Sequence, residues 1–242
     1  MKKMLLLCTG LLLAAGIASA QVTSKNIVGY VVKEGISAGF QQITSPFISV
    51  LDENQKFTLD RISGNFSPGD TLQFLLPDGS TDTENIVTWL RSNASRPVTG
   101  WYYDGNLYAG TTPVKAGTGI ILNTDDLVDI IISGQVETEN MAPPVLQGFT
   151  GLGNSSPVTI WLEDILFDGL EYGDTIQFIS PDGSTDTASI ATWLRANVSR
   201  PVTGWYADGN VYVGDKDLLP GAGFTLLTES DEVTVVIPAP IL

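Results

Sequence analysis

The chain has 242 residues, with 12 Lys and Arg against 27 Asp and Glu, a net charge of −15, no His and a single Cys. That charge offers no basic face to nucleic acid or anionic lipid. With no imidazole and only one thiol, Cys8, a Ser-His-Asp triad, an imidazole metal site and a disulfide framework are all excluded.

Residues 1–20, MKKMLLLCTGLLLAAGIASA, read as a cleavable signal peptide. Lys2 and Lys3 form the positive start, an apolar run follows, and Ala18-Ser19-Ala20 is the small-residue cleavage site. Cys8 lies within this leader. Cleavage leaves 222 residues with 10 basic side chains against 27 acidic, a net charge of −17. No later run is apolar for 18 residues, so no transmembrane segment is expected in the mature chain. The destination is the periplasm, the outer surface or the medium.

The mature chain is organised around a repeat. Asp70–Gly110 and Asp174–Gly214 align without a gap at an offset of 104 residues, and 30 of 41 positions are identical. A period of this length points to a duplicated domain, not a short solenoid repeat. The expected division is 21–134 for the first copy and 135–242 for the second.

Val22–Glu34 is rich in β-branched residues and predicts an opening strand, with a bend at Gly29. Its counterpart by alignment is Ile130–Glu137, while the closing strand Glu232–Ile237 also aligns with Val128–Ser133. The strand around 129–136 is therefore expected to serve both copies and to hold them in close contact. Thr138–Pro144 is the only linker-like stretch. A Gly-Phe pair follows each opening strand, Gly39-Phe40 and Gly148-Phe149. The connections from there to Asp70 and Asp174 differ in length, which marks a variable surface loop. Within them, Phe57–Ile62 and Ile160–Leu166 are each long enough for one helical turn.

In the repeated block Thr71–Leu76 predicts a strand, and Pro77-Asp78-Gly79-Ser80 a turn in which Pro sets φ, Asp bonds its own backbone and Gly takes positive φ. Ile86–Arg91 fits both a helical face and a strand, and we take the strand. Gly100–Gly110 is a hairpin. A two-residue turn at Asp104-Gly105 would pair Trp101 with Tyr108. A three-residue turn, with Asn106 left-handed, pairs Tyr102 with Tyr108 and is preferred. It gathers Trp101, Tyr103, Leu107 and Ala109 on a core face, with Trp205, Ala207, Val211 and Val213 in the second copy. Tyr102 and Tyr108, and Tyr206 and Tyr212, fall on the opposite face. Ala116–Asn123 and Gly221–Leu227 give the next strands. Short strands with turn signals every few residues predict all-β architecture: two tandem, duplicated, sandwich-like or barrel-like domains of about 104 residues, closely packed.

Candidate chemistry is sparse. Asp78 with Asp82, and Asp182 with Asp186, offer carboxylates for acid-based hydrolysis or for Ca²⁺. However, the spacing departs from the loop that supplies Ca²⁺ with six to eight oxygens, and turn formation already accounts for Asp-Gly. No catalytic residue and no cofactor is expected. The ligand-binding candidates are the aromatic hairpins: Tyr102, Tyr108, Asp104 and Asn106, with Tyr206, Tyr212, Asp208 and Asn210. In them rings lie beside hydrogen-bonding side chains, as sugar binding requires. The repeated Arg96 and Arg200 are expected to meet loop carboxylates.

The W-Y-x-D-G-N-x-Y-x-G, A-G-x-G-[IF] and NIVGYV-like motifs together resemble an uncharacterised family of secreted Gram-negative bacterial β-repeat proteins. That resemblance implies export and a β-rich fold, and it brings no catalytic residues. The expectation is thus an exported, non-enzymatic structural or interaction protein of the cell envelope or extracellular space, with a glycan or another envelope protein as partner. The alternative is a carbohydrate-binding protein that uses the tyrosine hairpins.

Overall fold

The computed structural model describes residues 27–49, 55–81, 85–180, 182–184, 190–208 and 210–241. The leader with Cys8, and the carboxylates of Asp82 and Asp186, lie outside these residues.

The first half holds strands β1 (Val28–Ile36), β2 (Gly39–Ile43), β3 (Lys56–Thr58), β4 (Ile62–Gly64), β5 (Thr71–Gln73), β6 (Ile86–Leu90), β7 (Gly100–Tyr103), β8 (Leu107–Tyr108), β9 (Pro113–Lys115), β10 (Ile120–Thr124) and β11 (Val128–Gln135). The second holds β12 (Gly148–Gly153), β13 (Ile160–Trp161), β14 (Leu166–Asp168), β15 (Thr175–Gln177), β16 (Ile190–Leu194), β17 (Gly204–Ala207), β18 (Val211–Tyr212), β19 (Asp217–Leu218), β20 (Gly223–Thr228) and β21 (Thr234–Val236). The short 3₁₀ turns Leu59–Arg61 and Leu162–Asp164 occupy the two stretches expected to turn once. Ile86–Leu90 is a strand, as taken.

Each half builds one six-stranded antiparallel sheet, β2-β10-β5-β6-β7-β8 and β12-β20-β15-β16-β17-β18. None of the sheets closes into a barrel, so the architecture is sandwich-like. In the first half Leu72, Val87, Trp101, Ile120 and Leu122 turn inward onto Ile62, Ile130 and Ile132 of the β1-β11-β4 sheet. In the second, Ile176, Trp205, Phe224 and Leu226 pack with Val235 and Ile237. Period-two alternation sends one face of each large sheet into a core and leaves the other face out. β11 shows this directly, with Val128, Ile130, Ile132 and Gly134 buried and their alternates not.

β11 is not shared between the halves. It pairs with β1 and β4, and Gln135 bridges Ile48, all within the first half. The second half instead sets Met141 against Ile237 in an isolated bridge. The sequence alignment with two registers therefore reflects a similar β-branched composition and not a common strand. Gly29 is no bend either. β1 runs straight through it, with the Phe47 ring close above, and its irregularity falls between Lys33 and Ile36.

The outer faces of the two large sheets meet, reciprocally. Ile43 bridges Ala222, and Thr118 bridges Leu152. The Thr44 amide donates to Gly221 O at 3.0 Å, and the Gly119 amide to Gly151 O at 2.8 Å. Main chains approach so closely that a methyl group at Gly119 would lie 2.6 Å from Leu152 O, and one at Gly223 would lie 2.7 Å from Gln42 Cγ. Gln42, 5% exposed, fills the seam. Its Nε2 donates to Phe224 O at 2.8 Å, and its Oε1 accepts from Thr225 Oγ1 at 3.0 Å. The Phe149 ring lies against Gly79 of the first half, and Phe40 lies against Gly183 of the second.

Gln42→Leu leaves the Phe224 carbonyl and the Thr225 hydroxyl buried without their partner, and is expected to destabilise the chain by about 2–3 kcal/mol in denaturant titration. Lys33 also reaches the seam, where its ammonium donates to Gly221 O at 2.9 Å. Burial lowers its pKa from 10.5 to about 8. The unfolded chain therefore holds this proton more tightly, so stability rises from pH 8 towards 10.5 and is lost as pH falls through 8. In paired melts, wild type should gain on the order of 2 kcal/mol relative to Lys33→Met between pH 7 and 10.

Candidate functional site

The hairpins take the preferred register: Tyr102 pairs with Tyr108 and Tyr103 with Leu107, and in the second half Tyr206 pairs with Tyr212. The left-handed residues, however, are Asp104 (φ 46) and Gly105 (φ 75), and in the second half Asp208 (φ 47), not Asn106. Asn106 instead donates its amide to Tyr103 O, and Asn210 to Ala207 O. Asp104, Asn106, Asp208 and Asn210 are exposed turn residues.

The core face differs from expectation at its rim. Trp101 and Ala109 are buried, but Leu107 is 67% and Val211 57% exposed, because β8 and β18 run past the edge of the core. Trp101 Nε1 donates to Ile62 O at 3.2 Å, whereas Trp205 Nε1, its counterpart, has no acceptor among the described residues.

Tyr102 and Tyr206 do lie on the opposite face, yet they are 1% and 2% exposed. The loop before β7 folds back over them. Tyr102 donates its hydroxyl to Val98 O at 2.7 Å, and Tyr206 to Val202 O at 2.8 Å. Each ring meets its partner tyrosine edge-to-face, with centroids 5.4 Å apart in both halves. Arg96 does not seek a carboxylate here: it donates to Gly105 O at 2.9 Å and to Arg91 O, and its guanidinium sits over Tyr102. Arg200 donates to Asn210 Oδ1 and sits over Tyr206. The repeated Ser-Arg-Pro-Val-Thr is thus a clamp between loop and hairpin turn.

Tyr108 and Tyr212 lie flat over glycine: a methyl group at Gly110 or Gly214 would fall 2.2 Å from the hydroxyl above it. Tyr212 donates to Glu163 Oε2 at 2.5 Å, and this bond is the main cause that pushes its pKa up to about 12. Tyr108 has the shorter Asp60 nearby, and its pKa is raised chiefly by burial. No tyrosine pair therefore offers two free ring faces.

The turn aspartates bond locally. Asp78 Oδ1 accepts from the Ser80 amide at 2.9 Å and its hydroxyl at 2.6 Å, and Asp182 does the same with Ser184. These bonds, the hydroxyl's first, hold both carboxyls below the usual range. Among the described residues no three acidic, Cys or His side chains converge as a metal site would require.

An open cleft lies elsewhere, where the outer sheet faces diverge from the seam. It is a cleft of about 370 Å³ to which both halves give matching positions. Gln73, Gln177, Ile121, Thr225 and the rings of Phe40 and Phe149 line it. Asp182 sits at the mouth. Sequence reading missed this site. The visible signal was the Gly-Phe pair and the repeated Gln two residues into the strands β5 and β15, but nothing in either marks them as lining one cleft.

No protein-family model matches the chain, and neither does any curated protein or solved structure. No helix among the described residues is long and apolar enough to cross a membrane.

Glu163→Gln removes the acceptor charge beneath Tyr212. Spectrophotometric titration of the phenols should show one tyrosine moving from about 12 back towards 10, its ordinary value.

Proposed function

We propose that this is an exported, non-catalytic interaction protein of the cell envelope or extracellular space, with the cleft between its two halves as the binding surface. The observation that carries the reading is the lining of that cleft, where Gln73, Gln177, Phe40 and Phe149 come from matched positions and Asp182 is the one charged residue, in a chain without His. Its amides and rings recognise and hold, but they neither take up a proton near neutral pH nor attack a bond. Export rests on the leader sequence, and the likeness to the secreted β-repeat family belongs to the same reading. The tyrosine hairpins, with Tyr102 and Tyr206 covered, serve as structural clamps in it and do not act as sugar platforms.

Two measurements test this. In a Gram-negative host the full chain should be recovered outside the inner membrane with Gln21 as its N-terminus. The purified protein should turn over no glycoside, ester or peptide substrate. Retention in the cytoplasm with the leader uncleaved would refute the first part. Turnover abolished by changing a single carboxylate would refute the second.

A further inference from the structure

We infer that the cleft takes a neutral oligosaccharide, an assignment that rests on its being the binding surface. Charge sets the first limit. No cation lines the space, Asp182 stands at its mouth held in the ionised form, and the chain as a whole carries −15. An anionic ligand meets repulsion on every approach.

Polarity sets the second. Gln73 and Gln177 both line the cleft from equivalent strands, and a purely apolar ligand would strip water from both amides and return no hydrogen bond. A ligand with hydroxyls on its rim satisfies them. Gln73 already has an internal partner for its Nε2, the Thr71 hydroxyl at 3.2 Å, which orients its carbonyl as an acceptor.

Backbone availability sets the third limit. An extended peptide is normally held by main-chain bonds to a strand edge. The wall strands β5 and β15 are paired on both sides, β5 with β10 and β6, and β15 with β20 and β16. They present side chains only, and on the edge strand β12 the Phe149 amide already donates to Pro77 O at 2.8 Å. What remains is a ligand with apolar faces and a polar rim, and a pyranose ring is built this way. Its axial C–H groups carry a slight positive charge that suits the negative face of a benzene ring. Phe40 and Phe149 are placed for that contact: each is backed by the glycine of the opposite half's turn and is turned towards the cleft. Phe40 with Phe149, and Gln73 with Gln177, offer a sugar the same kinds of contact from either half.

The test is calorimetric titration of the chain from Gln21 onward with neutral oligosaccharides of glucose, xylose, mannose and N-acetylglucosamine, and with an oligogalacturonate. At least one neutral oligosaccharide should bind. The Gln73→Leu/Gln177→Leu double variant should weaken it at least about tenfold with an unchanged melting temperature. Tyr108→Ala/Tyr212→Ala should leave the affinity within about twofold. Absence of binding by every neutral oligosaccharide would overturn the inference, as would preference for the uronate, or loss of binding in the tyrosine variant but not in the glutamine variant. None of these results touches export or the lack of turnover, so those parts of the functional reading stand or fall separately, while loss of binding in the tyrosine variant alone would count against the cleft itself.

Discussion

The structure depends on the close passage of two main chains at the seam between its halves. Gly119, Gly151 and Gly223 let backbones approach to hydrogen-bonding distance, and the Gln42 side chain fills the space that remains. Packing there is set by atoms with little freedom to retreat, since a carbonyl oxygen stands where a Cβ at Gly119 or Gly151 would go. Everything outward of the seam follows. The sheets are held at a fixed separation, the Gly-Phe pairs meet the opposite turns, and the faces part to leave a cleft of one defined width. The same seam explains why Lys33 tolerates its burial: the Gly221 carbonyl accepts from it across the junction.

Matching positions do not carry matching chemistry throughout. The first half spends a glutamine at the seam where the second has Gly151, because two amides would not fit in a passage that narrow. Trp101 has an acceptor in Ile62 and Trp205 has none. Glu163 is one methylene longer than Asp60 and so reaches the tyrosine hydroxyl that Asp60 influences only through space. Small differences in side-chain length thus decide which bonds each half completes, while the strand order stays the same.

Much of the local structure was legible in the sequence, because local rules dominate there. Pro77-Asp78-Gly79-Ser80 makes the turn its chemistry specifies, with Gly79 at φ 81. Alternation fixed the strands, and loop length fixed the pairing of Tyr102 with Tyr108. The left-handed position at Asp104 and the straight run of β1 through Gly29 were local misses, and the larger failures involve residues far apart in sequence. Which way Tyr102 points is a matter of register, but whether it is covered depends on the loop carrying Arg96 and Val98 folding back. β11 resembles an opening strand in composition, yet its partner is chosen by the sheet it closes. The cleft was invisible for the same reason: Gln73 and Gln177 come to line one cleft only after two sheets have met.

The reciprocity of the seam also limits growth. Each half spends its outer sheet face on the other, much as the subunits of a two-fold dimer consume the surface that joins them. Among the described residues, a further sheet would find no vacant face of this kind to dock upon. Such a pair is closed in the sense in which rings are closed and filaments are not.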